Sequence, residues 1–83
     1  MTVRVRLFAR LRDLAGHDRV SLVLPEQSTV AFLRQRLAQA LPVPGELLER
    51  CAIAVNNEVA EEDAVVPPGA EIALLPPVSG GEN

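Results

Sequence analysis

The chain has no lysine, no tryptophan and no tyrosine, and only one cysteine and one histidine among its 83 residues. Without lysine it has no side-chain amine for Schiff-base or nucleophilic chemistry. A single cysteine excludes an internal disulfide framework and a multi-thiolate metal site. His17 stands alone, so no His/Cys ligand set exists and no metal site is expected. All eight cations are arginines, spread from Arg4 to Arg50. A nucleic-acid surface needs a basic cluster, so no nucleic-acid partner is expected. No charged leader precedes an apolar run, and no run reaches membrane-spanning length. No membrane association is expected, and the expected compartment is the cytoplasm.

What is present is aliphatic. Hydrophobic residues make up 48% of the chain, with only Phe8 and Phe32 aromatic. A chain this short forms one domain and buries roughly 60–65% of its unfolded surface, so its core is thin.

Residues 3–8, VRVRLF, alternate, which predicts a half-buried strand with Val3, Val5 and Leu7 inward and Arg4, Arg6 and Phe8 outward. ARLRDLAG, residues 9–16, reads as a short helix closed by Gly16 in the left-handed region. Leu11, Leu14 and Ala15 are expected on its inner face. RVSLVL, residues 19–24, is a second strand. Ser28 or Thr29 caps a main helix over about residues 29–41. Val30, Leu33, Leu37 and Leu41 form its apolar stripe, with Arg34, Arg36 and Gln39 off it. Pro42 and Pro44 end it. ELLER, 46–50, is one helical turn. CAIAVN is a strand, with Cys51, Ile53 and Val55 on one side. Asn56–Asn57 is a turn, because asparagine tolerates positive φ. Val59 and Ala60 begin a return segment, and EED at 61–63 reads as a solvated acidic loop, or one that meets a basic rim on a partner. AEIALL, 70–75, is the last strand, with Ile72 and Leu74 on one side and Ala73 and Leu75 on the other.

This order predicts an α+β fold: a mixed β-sheet with one main helix packed on it plus short helices, the ubiquitin-like β-grasp pattern. The first and last strands are expected side by side in the middle of the sheet. Residues 1–75 form the expected domain and residues 76–83 an extended C-terminal tail. In that tail Pro76 and Pro77 favour an extended backbone and reduce the ordering cost of insertion into a pocket. Gly80 and Gly81 carry no side chains, so the backbone suits a narrow channel. Val78, Ser79, Gly80 and Gly81 reach at most about 13 Å at roughly 3.3 Å per residue. Phe8, Leu75 and Val59 are expected to form an apolar patch at the base of the tail. The alternative for Phe8 is partial burial under the short helix. Cys51 reads as a buried structural thiol, and His17 as a solvated loop residue. Arg10, Arg12 and Asp13 either order the short helix or touch a partner.

Three motifs carry a family resemblance: LFARLRDLAG (7–16), VNNEVA (55–60) and GAEIALLPPVSGG (69–81). Together they span essentially the whole chain, which resembles the small, ubiquitin-like sulfur-carrier subunit of molybdopterin synthase. The resemblance implies that an adenylyltransferase, using ATP, activates the carboxylate of the final glycine, here Gly81. Sulfur transfer then yields a thiocarboxylate. It implies insertion of the tail, Pro76 to Gly81, into the large subunit of a heterotetrameric synthase. There two sulfurs, delivered in turn, convert cyclic pyranopterin monophosphate to molybdopterin. Family members dock through hydrophobic residues at the positions of Phe8, Val59 and Leu75. The chain itself is then no enzyme and binds no cofactor.

One departure stands out. The family typically ends at the second glycine, whereas Glu82 and Asn83 follow Gly81 here. A processing protease cutting after Gly81 is therefore expected. Other readings share the fold and the diglycine: a carrier for thiamine or tRNA thiolation, a ubiquitin-like protein modifier joined through Gly81, and a plain interaction module. Thiamine carriers tend to lack a counterpart of LFARLRDLAG.

Overall fold

The alternating residues of the first segment form strand β1, Thr2–Leu7, whose Val3, Val5 and Leu7 are buried while Thr2, Arg4 and Arg6 are exposed. The computed structural model describes residues 1–77. After β1 come helix α1 (Ala9–Ala15), strand β2 (Arg19–Val23), helices α2 (Val30–Ala40) and α3 (Gly45–Arg50), and strands β3 (Ala52–Val55), β4 (Glu58–Val59) and β5 (Ile72–Leu75). The strands form one sheet in the order β2-β1-β5-β3-β4. β1 and β5 run parallel, with Val5 opposite Ile72 and Leu7 opposite Leu74. The other pairs are antiparallel. First and last strands are thus neighbours, and β5 is the middle strand. This is the expected β-grasp arrangement.

The core lies on one side of the sheet, under α2. Val3, Val5, Leu7, Ile53, Ile72 and Leu74 from the strands meet Val30, Leu33 and Leu37 from α2. The 3- and 4-residue spacing of the α2 stripe aims these side chains at the sheet. Thr29, not Ser28, caps α2: its hydroxyl accepts from the Phe32 N–H at 3.2 Å. Ser28 instead donates to the Pro25 carbonyl at 2.6 Å. The first N–H groups of a helix have no partner within it. Here Val30 and Ala31 donate to the Ala64 and Glu62 carbonyls, both at 2.9 Å. The 60–66 loop is thereby stitched to the start of the helix.

Two local expectations need correction. Phe8 is not the last strand residue. β1 ends at Leu7, and Phe8 is the residue before α1, its carbonyl accepting from the Leu11 N–H. Leu14 does not share the inner face of α1. Leu11 is fully buried and Ala15 packs on the core, whereas Leu14 is 41% exposed. With only seven residues, α1 presses a single line of residues, four apart, onto the core. Gly16 closes the helix at φ 80, its N–H donating to the Arg12 carbonyl. Asn56 and Asn57 both hold positive φ, 52 and 73, as a tight β3–β4 turn requires.

Candidate docking face and the exit of the tail

The side of the sheet away from α2 bears the residues singled out above. Strand alternation and register put them in rows. Arg6 stands beside Ala73, Ala73 beside Ala54, and Ala54 beside Val59. Leu75 stands beside Ala52. One residue beyond the Leu7–Leu74 pair lie Phe8 and Leu75. The result is an apolar strip across β5, β3 and β4, with Phe8 at its β1 border. Val59 is 69% exposed, and Phe8, Ala73 and Leu75 are half-buried. Phe8 and Leu75 stand apart from the core cluster under α2. The Arg6 guanidinium lies 5.1 Å from the centroid of the Phe8 ring, within cation–π range.

Because β1 and β5 are parallel, Phe8 and the end of β5 share one end of the sheet. The chain leaves Leu75 there through Pro76 and Pro77, both half-buried. Val78, Ser79, Gly80 and Gly81 lie outside the described residues, as do Glu82 and Asn83. The structure thus puts Phe8, Val59 and Leu75 on one face, with Pro76 and Pro77 following at the end where Phe8 and Leu75 lie.

Two residues that the sequence reading left without a role form a second site. Arg34 lies off the apolar stripe of α2, yet its side chain is only 17% exposed. It donates through Nη1 to the carbonyls of Leu48 at 2.9 Å and Cys51 at 2.7 Å. Through Nε and Nη2 it grips both carboxylate oxygens of Glu62, at 3.0 and 2.6 Å. The acidic loop is therefore not wholly solvated. The Arg34 hydrogen bonds hold the Glu62 carboxyl below the usual glutamate range against a smaller opposing effect of desolvation. Cys51 is buried, its thiol donating to the Leu47 carbonyl at 3.2 Å. Burial pushes that thiol up, only partly offset by Arg34. A raised pKa lowers the thiolate fraction and makes Cys51 a poor sulfur relay. Among the described residues, no group of three or more His, Cys, Asp or Glu side chains is placed to hold a metal ion. No helix there is long and apolar enough to cross a membrane.

The ThiS family model matches residues 5–81, from β1 through the diglycine. The chain belongs to the ThiS family. Among relatives of this ThiS-family chain is the molybdopterin synthase sulfur carrier subunit of Arabidopsis thaliana, 34% identical over 95% of this chain and 82% of the relative. The expected resemblance therefore holds. The crystal structure of SAMP1 from Haloferax volcanii superposes with a TM-score of 0.80 at 31% identity, covering 98% of this chain and all of that one. A chain of the complex of subunits 1 and 2 of molybdopterin-converting factor from Helicobacter pylori matches with a TM-score of 0.67 at 30% identity, over 98% and 100% of the two chains.

Proposed function

We propose that this ThiS-family protein is the sulfur carrier of a molybdopterin synthase, with sulfur borne as a thiocarboxylate on Gly81. The observation that carries the reading is the apolar strip on the open sheet face. It runs to Leu75, where the chain continues through Pro76 and Pro77 toward the diglycine. A body that grips a partner at the root of its tail sets how deep the terminal carbonyl reaches. The Helicobacter complex, between two subunits of the converting factor, supports a large subunit as that partner.

The chemistry falls at one carbon. In an activating adenylyltransferase, the Gly81 carboxylate attacks the α-phosphorus of ATP and pyrophosphate leaves. A sulfide-equivalent donor then attacks the Gly81 carbonyl carbon. The carbon–sulfur bond forms, the carbon–oxygen bond to AMP breaks, and a thiocarboxylate results. In the large subunit this sulfur passes to cyclic pyranopterin monophosphate, and water restores the carboxylate. The chain supplies the cargo and the partners supply the catalytic groups. The reading requires a protease to remove Glu82 and Asn83, since only a free Gly81 carboxylate enters the first step.

The test uses protein ending at Gly81, mixed with the adenylyltransferase, ATP and a sulfur donor. Intact mass is expected to rise by the difference between one sulfur and one oxygen. The product, mixed with large subunit and cyclic pyranopterin monophosphate, is expected to give molybdopterin. A Gly81 terminus that never accepts AMP overturns the proposal.

The likeness to SAMP1 favours a second reading, since a close Haloferax relative is named small archaeal modifier protein 1. As a modifier the chain would be joined through Gly81 to target lysines. Recovery of such isopeptides from native cells supports this reading. A product in thiamine or thiolated tRNA rather than molybdopterin would redirect the carrier reading to those pathways.

A further inference from the structure

The open sheet face has a second half that the tail chemistry does not use. Arg4 and Arg6 on β1 and Arg19 on β2 share that face. Arg6 and Arg19 are direct cross-strand partners, while Arg4 is opposite Ser21, one row away. The three side chains, with Gly69, Ala70, Glu71 and Ile72, line a shallow cavity of about 290 Å³. All three arginines are exposed. Among the described residues, the salt bridges are Met1 amino group to Glu26 and Arg34 to Glu62, and neither involves these arginines. Glu71 lines the same cavity without closing an ion pair, its backbone N–H and carbonyl both engaged by Asn56.

Like charges directly opposed across a strand pair are destabilising. The chain carries net charge −3, yet it gathers three cations here that have no ion-pair partner among the described residues. Its acids Glu58, Glu61 and Asp63 lie at and beyond β4, the opposite edge of the sheet. The band is also continuous with the apolar strip. Arg6 stands beside Ala73 and over the Phe8 ring. A body that covers Phe8 and Ala73 must also come up against Arg6.

We infer that Arg4, Arg6 and Arg19 form an electrostatic flank of the docking face and receive a carboxylate-bearing segment of the large synthase subunit. The inference rests on the sulfur-carrier reading. Carboxylates facing β1 and β2 relieve the repulsion between Arg6 and Arg19 and draw the partner in from one side. The three arginines outnumber Glu71 in their cavity, and Glu58, Glu61 and Asp63 lie at and beyond the far edge, so the face is electrically lopsided and the carrier has a preferred approach. Such complementarity acts mainly on the rate and direction of association.

The experiment measures association of the purified large subunit with carrier ending at Gly81, by stopped flow at low and high ionic strength. Arg19→Glu is the main variant, because Arg19 is exposed on an edge strand and outside the tail. Its association rate is expected to fall roughly five-fold at low salt. The difference from wild type is expected to shrink at high salt, with dissociation almost unchanged. Arg19→Lys is expected to retain most of the rate. A thermal melt of Arg19→Glu, expected no lower than wild type, checks that the fold survives. Equal rates and equal salt dependence for wild type and Arg19→Glu overturn this inference while leaving the carrier reading intact. Failure of wild type to bind the large subunit overturns both. If Arg19→Glu abolishes saturable binding of inorganic phosphate and leaves subunit association untouched, the occupant is a small anion and the inference is wrong.

Discussion

At the scale of single residues, Arg34 and Phe8 do opposite kinds of work. Arg34 ties α2 to the end of α3 and to the acidic loop, through two carbonyls and the two oxygens of Glu62. Replacing it with methionine leaves the Leu48 and Cys51 carbonyls without this donor. The expected loss of stability is about 2–3 kcal/mol, read by urea denaturation. Glu62→Gln is gentler, because Glu62 is half exposed and the pair is screened. A loss of about 0.5–1 kcal/mol is expected at neutral pH. The native carboxyl is held below its ordinary range, so this contribution is complete above the unfolded glutamate pKa and disappears as pH falls through the depressed native value. The stabilities of wild type and Glu62→Gln should therefore converge in acid. A constant gap at every pH would show that the ion pair is not its source. Phe8 stands outside the core cluster, and under the proposed function it serves contact rather than folding. Phe8→Arg is expected to melt within a few degrees of wild type and to lose the large subunit in copurification. Retention of the subunit removes Phe8 from the docking face.

At the scale of elements, the boundary between legible and illegible follows the range of the forces. The α2 stripe, the Asn56–Asn57 turn and the glycine at the end of α1 are set by local periodicity and backbone preference, and each is where its residues predict. Leu14 is not, because which line of a two-turn helix is pressed inward depends on how that helix crosses the end of the sheet. Leu11→Ala is accordingly expected to cost about 2–5 kcal/mol, as a fully buried leucine does. Leu14→Ser should stay within about 0.5 kcal/mol in the same denaturation experiment. Arg34 was invisible for a similar reason. Its position off the stripe marks it as a surface residue, and its partners are fourteen or more positions away in sequence. The β3–β4 turn offers a sharper test. Asn57 sits at φ 73, where a β-branched side chain is strained. Asn57→Val is expected to destabilise by about 1–2 kcal/mol, and Asn57→Gly to be tolerated.

At the scale of the whole molecule, the fold depends on its last strand. β5 is bonded to β1 on one side and β3 on the other, and its Ile72 and Leu74 are buried in the core. The hydrophobic pattern identified β5 as a strand, but its parallel pairing with β1 came from the fold pattern, since no local signal joins residue 5 to residue 72. A chain ending at Glu71 removes that strand and is expected to show no cooperative melt by circular dichroism. A chain ending at Pro77 keeps every buried residue of the described core and is expected to melt near the full-length temperature. Cooperative melting of the shorter chain would show that the sheet closes without β5. The candidate site follows the same division. Phe8 and Leu75 could each be assigned to the open face from alternation alone, whereas Val59 was placed near them by its position after the Asn56–Asn57 turn. The arginine band could not, because Arg19 joins Arg4 and Arg6 only through the antiparallel register of β1 and β2.

In the carrier role proposed above, the placement of β5 also bears on how the protein comes free of a partner. The segment after Leu75 is covalently continuous with a strand held along both edges. A pull on its C-terminal end therefore loads both hydrogen-bond ladders lengthwise, in shear, instead of peeling them open one rung at a time. Under the proposed role, the expected consequence is a body that stays folded through repeated cycles of binding and release.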